Sequence, residues 1–200
     1  LVFTALPALA ATAMSDIGGH WAEGAIRQLA DKGVVAGLPD GSFKAEFTVK
    51  RAEFVTMVNK SLGIAPVAGV SRFHDVQADA WFAGQVEAAA VRGYVAGNPD
   101  GSFSPYRPIT REQAAAMLVR AFGLAPLAAA ERKAALAPFV DADQVSAWAK
   151  ADLAIAVSQG LISGYTPTTL APKPANLSAG GWQAWEASRT TEQREASLNK

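Results

Sequence analysis

The chain has 200 residues, half of them hydrophobic (50%), so it can bury a core of ordinary size. Its 18 basic and 18 acidic residues cancel, which argues against non-specific nucleic-acid binding, because that requires a basic excess. The absence of cysteine excludes disulfides and metal–thiolate sites.

The chain opens with an apolar, uncharged segment, residues 1–14. Small residues at Ala-x-Ala spacing make it similar to the end of a secretory signal. We interpret it as a signal remnant; the alternative is a disordered alanine-rich leader. No stretch approaches the ~20 apolar residues of a membrane-spanning helix, so we expect no membrane insertion.

Most of the remaining chain repeats itself. Residues 33–66 and 93–126 align without a gap, and a third, more divergent copy follows with the same tryptophan-to-glycine spacing. Repetition at a fixed long period indicates one structural unit used several times. The predicted repeats cover 15–66, 73–126 and an incomplete 139–178, followed by a divergent tail, 179–200, that we expect to be disordered.

Each repeat is predicted to begin with a tryptophan-led helix. Apolar residues recur at helical spacing, so the three helices should bury the same stripe, tryptophan included. A glycine then stands where a helix ends in a left-handed residue. The leading tryptophans are Trp21, Trp81 and Trp148, and the terminal glycines are Gly33, Gly93 and Gly160.

A loop and a second helix complete the repeat. Pro-Asp-Gly predicts a tight turn in the first two copies, and Phe43 and Phe103 should return to the core. The third copy has 166–170, TPTTL, a less tightly specified turn. The second helices are predicted at Ala52–Leu62 and Glu112–Phe122, and the connector 127–138 could add a helical turn or two. The turn residues singled out are Gly41, Ser42, Gly101 and Ser102.

The start of each second helix carries an arginine, Arg51 or Arg111. Thr110 and Gln113 form a capping-box pattern there, which Lys50 interrupts in the first repeat. A basic residue in the first turn opposes the helix dipole, whereas free N–H groups and a guanidinium together suit an anion. The hypotheses are an anion site and a surface arginine paired with a carboxylate such as that of Glu53 or Glu112.

Catalytic chemistry finds little support. The two histidines are too few for a histidine-based metal site, and no nucleophile, phosphate-loop or dinucleotide motif is present. We therefore expect no enzyme, no metal and no cofactor. Three aspartates are interpreted as structural, capping or bracing the helix entry: Asp16, Asp75 and Asp141.

The pattern FHDV…W…GYVAGNPDGSFSP…ITREQAAAML resembles the S-layer homology domain, and the resemblance covers about residues 15–178. It implies a mainly α body of three helix–loop–helix repeats around a pseudo-threefold axis, with grooves between neighbours. It also implies an exported protein of the cell surface, wall or S-layer that non-covalently binds an anionic, pyruvylated wall polysaccharide. A targeting module of a larger exported enzyme and a protein-binding helical scaffold are the alternatives; a fused cargo domain or S-layer lattice neighbours are further expected partners.

The resemblance also implies ligand residues. Arg51 and Arg111 match the family's ligand-binding arginine, and the tryptophans would be core anchors, groove walls on which sugars stack, or both. In the third repeat Ala179 stands where the arginine is expected, before Gly180 and Gly181, so we predict that a groove relying on residue 179 does not bind. The full set of candidate ligand residues is Arg51, Arg111, Lys50, Trp21, Trp81, Trp148, Gly41, Gly101, Ser42 and Ser102.

Overall fold

A computed structural model of the chain describes residues 14–69 and 71–173. Within these residues the fold is mainly α, as predicted, with six α-helices and no β-strand. The helices are α1 (Glu23–Asp31), α2 (Arg51–Ser61), α3 (Ala83–Val91), α4 (Arg111–Ala121), α5 (Ala129–Leu136) and α6 (Lys150–Ser158), and a short 3₁₀ turn covers Ala142–Gln144.

Helices α1, α3 and α6 are the equivalent first helices of the three repeats. Each has nine residues and ends in the same way. In α1, Gly33 N–H donates to the Ala30 carbonyl (2.9 Å) and Val34 N–H donates to the Leu29 carbonyl (2.9 Å), which is a Schellman motif. The glycines at the three ends have left-handed φ angles, as predicted: +69° at Gly33, +79° at Gly93 and +67° at Gly160.

The predicted buried stripe is right for the helices and wrong for the tryptophans. Ile26 and Leu29 of α1 are almost completely buried. The tryptophans precede the first residue of each helix, so they do not continue its buried face, and a core-anchor role for their rings is excluded. The exposed fractions are 67% for Trp21, 66% for Trp81 and 55% for Trp148.

An aspartate at the start of each repeat holds that repeat's loop. Asp16 Oδ1 and Oδ2 accept the N–H groups of Phe43 (2.7 Å) and Lys44 (2.8 Å). Lys44 has a φ of +58°, a backbone conformation that residues other than glycine rarely adopt. The carboxylate of Asp16 therefore holds a strained turn. The role is structural, but the aspartates brace the loop and not the helix entry. Asp75 binds Phe103 and Ser104, and Asp141 binds Leu170 and Ala171, in the same way.

The third repeat keeps the turn despite its different sequence. Tyr165 N–H donates to the Thr169 carbonyl at 2.7 Å. Leu38 and Ser42 in the first repeat, and Asn98 and Ser102 in the second, make the same bond at the same distance. The aspartate brace therefore fixes this loop even where Pro-Asp-Gly is absent.

The second helices, α2 and α4, start at the arginine, one residue earlier than predicted. In α4 the capping box is present: Thr110 Oγ1 accepts Gln113 N–H and Gln113 Oε1 accepts Thr110 N–H, both at 3.2 Å. In α2 the Lys50 side chain cannot cap, as expected, but Lys50 N–H still donates to Glu53 Oε2 at 2.8 Å. Half of the box therefore survives in the first repeat.

Packing joins each second helix to the first helix of the next repeat. Helix α2 packs on α3, and α4 packs on α6; the connector also forms a helix, α5, which lies against α6. Phe103 is completely buried in the main core, whereas Phe43 is only partly buried. A smaller cluster belongs to the first repeat alone and consists of Met14, Ile17, Ala22, Ile26 and Ala45.

Some predictions fall outside the described residues. They are the leader apart from Met14, the second half of the third repeat including Ala179, and the tail 179–200. Closure of the repeats around a pseudo-threefold axis stays a prediction for the same reason, since the contact between the third and first repeats would involve residues after 173.

Asp16→Asn should lower the stability of the fold at pH 7 and make that stability less sensitive to a fall in pH. Hydrogen bonds from the N–H groups of Lys44 and Phe43 lower the pKa of Asp16. Such a group contributes stability that is present above its unfolded pKa, about 3.9, and lost as the pH falls through its folded pKa. We expect a lower urea midpoint at pH 7 and a smaller difference between the midpoints at pH 7 and pH 3.

The control is Asp79→Asn, which alters an exposed carboxylate without a hydrogen-bond partner among the described residues. A wild-type pH dependence in Asp16→Asn would contradict the role assigned to this carboxylate.

Candidate functional site

Arg51 and Arg111 link neighbouring repeats. Arg51 is 5% exposed; its Nε donates to the Phe103 carbonyl at 2.9 Å, and its guanidinium lies 4.8 Å from the centroid of the Phe103 ring. Arg111 Nε donates to the Leu170 carbonyl at 2.8 Å, the equivalent position in the third repeat. Burial lowers the pKa of Arg51 to about 10, so the group stays charged at neutral pH.

The alternative of an arginine–carboxylate pair is wrong. Within the described part of the chain, both Nε atoms donate to backbone carbonyls, and the two glutamates bind elsewhere. Glu53 accepts the N–H of Lys50, and Glu112 accepts both the N–H and the hydroxyl of Ser146 at 2.9 Å.

The N-terminus of α2 is also occupied. Arg51 N–H donates to the Arg107 carbonyl (3.0 Å) and Ala52 N–H donates to the Pro105 carbonyl (3.1 Å). An anion site at a helix start needs unpaired N–H groups, and these two are paired with the next repeat. At α2 this part of the anion-site hypothesis is wrong, whereas binding by the arginine side chains themselves stays a prediction.

A groove of about 510 Å³ is formed by the first repeat, with a single residue of the second repeat at its edge. One wall is a single face of α2 and the residue before it. The other wall is the apolar loop of the first repeat, and Trp81 of the second repeat lies at the edge. The α2 wall contains Lys50, Glu53, Thr56, Met57 and Lys60, and the loop wall includes Val34, Val35, Leu38, Phe43, Lys44 and Phe47.

The groove is cationic as well as aromatic. Lys50 and Lys60 are exposed and form no ion pair within residues 14–69 and 71–173. Lys44 lies 5.3 Å from the Phe47 ring centroid and 3.9 Å from an Asp40 oxygen. The Glu53 carboxylate already accepts a backbone N–H. The groove can therefore bind a ligand that combines a negative charge with an apolar face.

The equivalent surface of the second repeat carries a different set of charges. Thr110 replaces Lys50, Ser104 replaces Lys44, and Arg120 replaces Lys60. Arg120 donates to Asp152 Oδ2 at 2.9 Å, so its charge is already paired, while Arg107 introduces a cation where the first groove has Phe47. The lysine pair is therefore a feature of the first groove.

The structure brings together two of the predicted ligand residues, Lys50 and Trp81. Arg51 does not line this groove and lies behind its wall. The predicted turn residues do not line the groove either, because they complete the turns. Ser42 donates from its backbone N–H (2.9 Å) and from its hydroxyl (2.6 Å) to Asp40 Oδ1. Ser102 binds Asp100 in the same way, and Gly41 and Gly101 have φ angles of +80° and +82°.

Three further residues line the groove that the sequence did not single out: Lys44, Phe47 and Lys60. Lys60 could have been found, since Lys50, Glu53, Met57 and Lys60 recur at helical spacing and so share one face. No described helix is long and apolar enough to cross a membrane. Among the residues described, no cluster of histidine, aspartate and glutamate could hold a metal ion.

Comparison with known proteins gives one family. The model of the S-layer homology domain matches residues 13–55, 72–115 and 138–173. The chain is 35% identical over 161 residues to a surface-layer 125 kDa protein of Lysinibacillus sphaericus, covering 80% of the chain and 13% of that relative. It is 35% identical over 160 residues to Exoglucanase XynX of Acetivibrio thermocellus, covering 80% and 14%.

A third relative is the cellulosome-anchoring protein of the same species, which is 30% identical over 141 residues, or 68% of the chain and 30% of the relative. The chain thus spans only a small part of the length of the curated relatives it matches.

Arg51→Ala should destabilise the fold. The substitution removes a charge-assisted hydrogen bond and leaves the Phe103 carbonyl without this donor, at a cost of about 1.5–3 kcal/mol. Arg51→Lys should recover only part of the loss, because an ammonium does not reproduce the planar guanidinium. Urea denaturation of both variants measures the effect.

Arg92→Ala provides the control, because Arg92 is exposed and its side chain has no partner among the described residues. If Arg51→Ala unfolds at the same urea concentration as Arg92→Ala, the inter-repeat link has no energetic importance.

Proposed function

The chain belongs to the S-layer homology domain family, and we propose that it anchors a protein non-covalently to the cell wall. The ligand is an anionic wall polysaccharide bound in the groove of the first repeat that Trp81 borders. The observation that carries the proposal is the position of the exposed Trp81 indole at the same groove as two ammonium groups, those of Lys50 and Lys60, that form no ion pair with the described residues.

The chemistry of this groove fits a charged sugar. A pyranose presents an apolar C–H face that stacks on an aromatic ring, and Trp81 offers an indole that is 66% exposed. A pyruvyl ketal on the same sugar supplies a carboxylate, for which lysine is a suitable partner. We therefore propose a pyruvylated chain end as the ligand, with its ring on Trp81 and its carboxylate at Lys50 or Lys60.

The names of the relatives support a location at the surface of an exported protein. They include a surface-layer protein, a middle cell wall protein and a cellulosome-anchoring protein. We propose that this chain performs no chemistry itself and that S-layer lattice neighbours or a fused cargo domain use it for attachment.

A second candidate is the same anchor used as the targeting module of a longer exported enzyme. Similar segments occur in an exoglucanase, an amylopullulanase and an endo-1,4-beta-xylanase. Since this chain corresponds to 14% or less of each of those proteins, their catalytic activities do not transfer to it.

Trp81→Ala and the double variant Lys50→Ala/Lys60→Ala should each weaken retention on isolated cell walls. A tryptophan that acts as a binding hot spot contributes about 2 kcal/mol or more, which corresponds to more than tenfold in affinity. The lysine variant should lose several-fold, and added salt should weaken the wild type more than the lysine variant, because salt screens exposed charges. Co-sedimentation with walls across a salt series measures both effects.

The matched control is Lys32→Ala/Lys150→Ala, which removes two exposed lysines outside the groove. Walls from which the pyruvyl groups have been removed test the finer proposal. Unchanged binding to such walls would refute the pyruvylated ligand, and unchanged binding by the Trp81 variant would refute the groove.

A further inference from the structure

The second repeat carries an exposed aromatic pair supported by one buried ring. The Trp81 and Phe82 rings meet edge to face, with centroids 5.2 Å apart and planes at 87°. Phe82 and Tyr106 meet in the same way, at 5.4 Å and 84°. Phe82 is 1% exposed, whereas Trp81 and Tyr106 are each 66% exposed. Two solvent-exposed rings are therefore held on a common buried support.

This arrangement is absent from the other two repeats as far as the structure describes them. In the first repeat Ala22 and Glu46 occupy the positions of Phe82 and Tyr106, and the Glu46 carboxylate is 2.7 Å from His20 Nε2. In the third repeat the corresponding residues are Ala149 and Lys173. The second exposed ring thus accompanies only the tryptophan that lines the lysine-containing groove.

The geometry suits a ligand made of consecutive rings. Edge-to-face packing against Phe82 restrains both exposed side chains, so little side-chain entropy remains to be lost when a ligand binds them. Because Trp81 and Tyr106 each lie within a short centroid distance of Phe82, the two exposed rings are no farther apart than about the length of one disaccharide. Aromatic faces at that spacing are a surface on which adjacent sugars of one chain can each stack.

We propose that Tyr106 is a second carbohydrate-stacking residue of the groove site. The terminal charged sugar lies on Trp81, and the next sugar of the same glycan lies on Tyr106. The inference rests on the proposed function, since it extends that site outward from the groove. The site would therefore prefer a glycan of two or more sugars to a single terminal sugar, because a single sugar on Trp81 does not reach Tyr106.

The experiment compares Tyr106→Ala with the wild type on two soluble probes. One is the pyruvylated terminal monosaccharide, and the other is a wall-polymer fragment of several sugars with the same end. Isothermal titration should show unchanged affinity of Tyr106→Ala for the monosaccharide and a loss of about tenfold for the fragment. Tyr106→Phe keeps the ring and should bind both probes like the wild type.

Tyr165→Ala is the matched control, since Tyr165 is 61% exposed and belongs to the third repeat; it should leave both affinities unchanged. The inference is overturned if Tyr106→Ala binds the fragment as tightly as the wild type. It is also overturned if both probes lose affinity equally, because Tyr106 would then act only by supporting Phe82 and Trp81. A wild-type protein that binds neither probe would refute the proposed function itself.

Discussion

The fold depends on a loop residue held from both sides by ionised groups. The N–H of Phe103 donates to Asp75 of its own repeat at 2.7 Å, and its carbonyl accepts from Arg51 of the preceding repeat at 2.9 Å. The first bond fixes the shape of the loop, and the second fixes where the preceding helix begins. Charge-assisted bonds of this kind are about twice as strong as neutral ones. The same arrangement recurs at Leu170, so loop shape and repeat stacking are coupled at both described junctions.

The first repeat has only half of this arrangement. Asp16 binds the N–H of Phe43, but no described residue donates to the Phe43 carbonyl, and position 179, where the pattern would place the arginine, is an alanine. Its helix buries Ile26 in a small separate cluster, whereas the equivalent Val86 belongs to the main core. Among the described residues, α2 is the helix of the first repeat that packs on a helix of the next repeat, and it is also one wall of the groove.

Much of the local structure could be predicted because it depends on neighbouring residues. Residue spacing alone indicates that the repeats are α-helical, that a glycine ends each first helix and that Thr110 caps α4. The burial of the tryptophans could not be predicted from the helical stripe, because Trp81 lies before the first turn of α3 and the helical angle does not apply to it. The hydrogen-bond partners of the first N–H groups of α2 could not be predicted from local sequence either, because Arg107 and Pro105 belong to another repeat.

The position of Arg51 explains why the lysines are the better candidates for contact with the proposed ligand. A cation in the first turn is unfavourable with respect to the helix dipole, and the carbonyls of Arg107 and Phe103 offset this cost by bringing negative ends of dipoles to the N–H and Nε of Arg51. To bind a glycan carboxylate with Nε, the arginine would have to give up the Phe103 carbonyl and loosen the junction between repeats. The ammonium groups of Lys50 and Lys60 make no such bond within the described residues, so the proposed binding and release of an anion there would leave the shape of the groove unchanged.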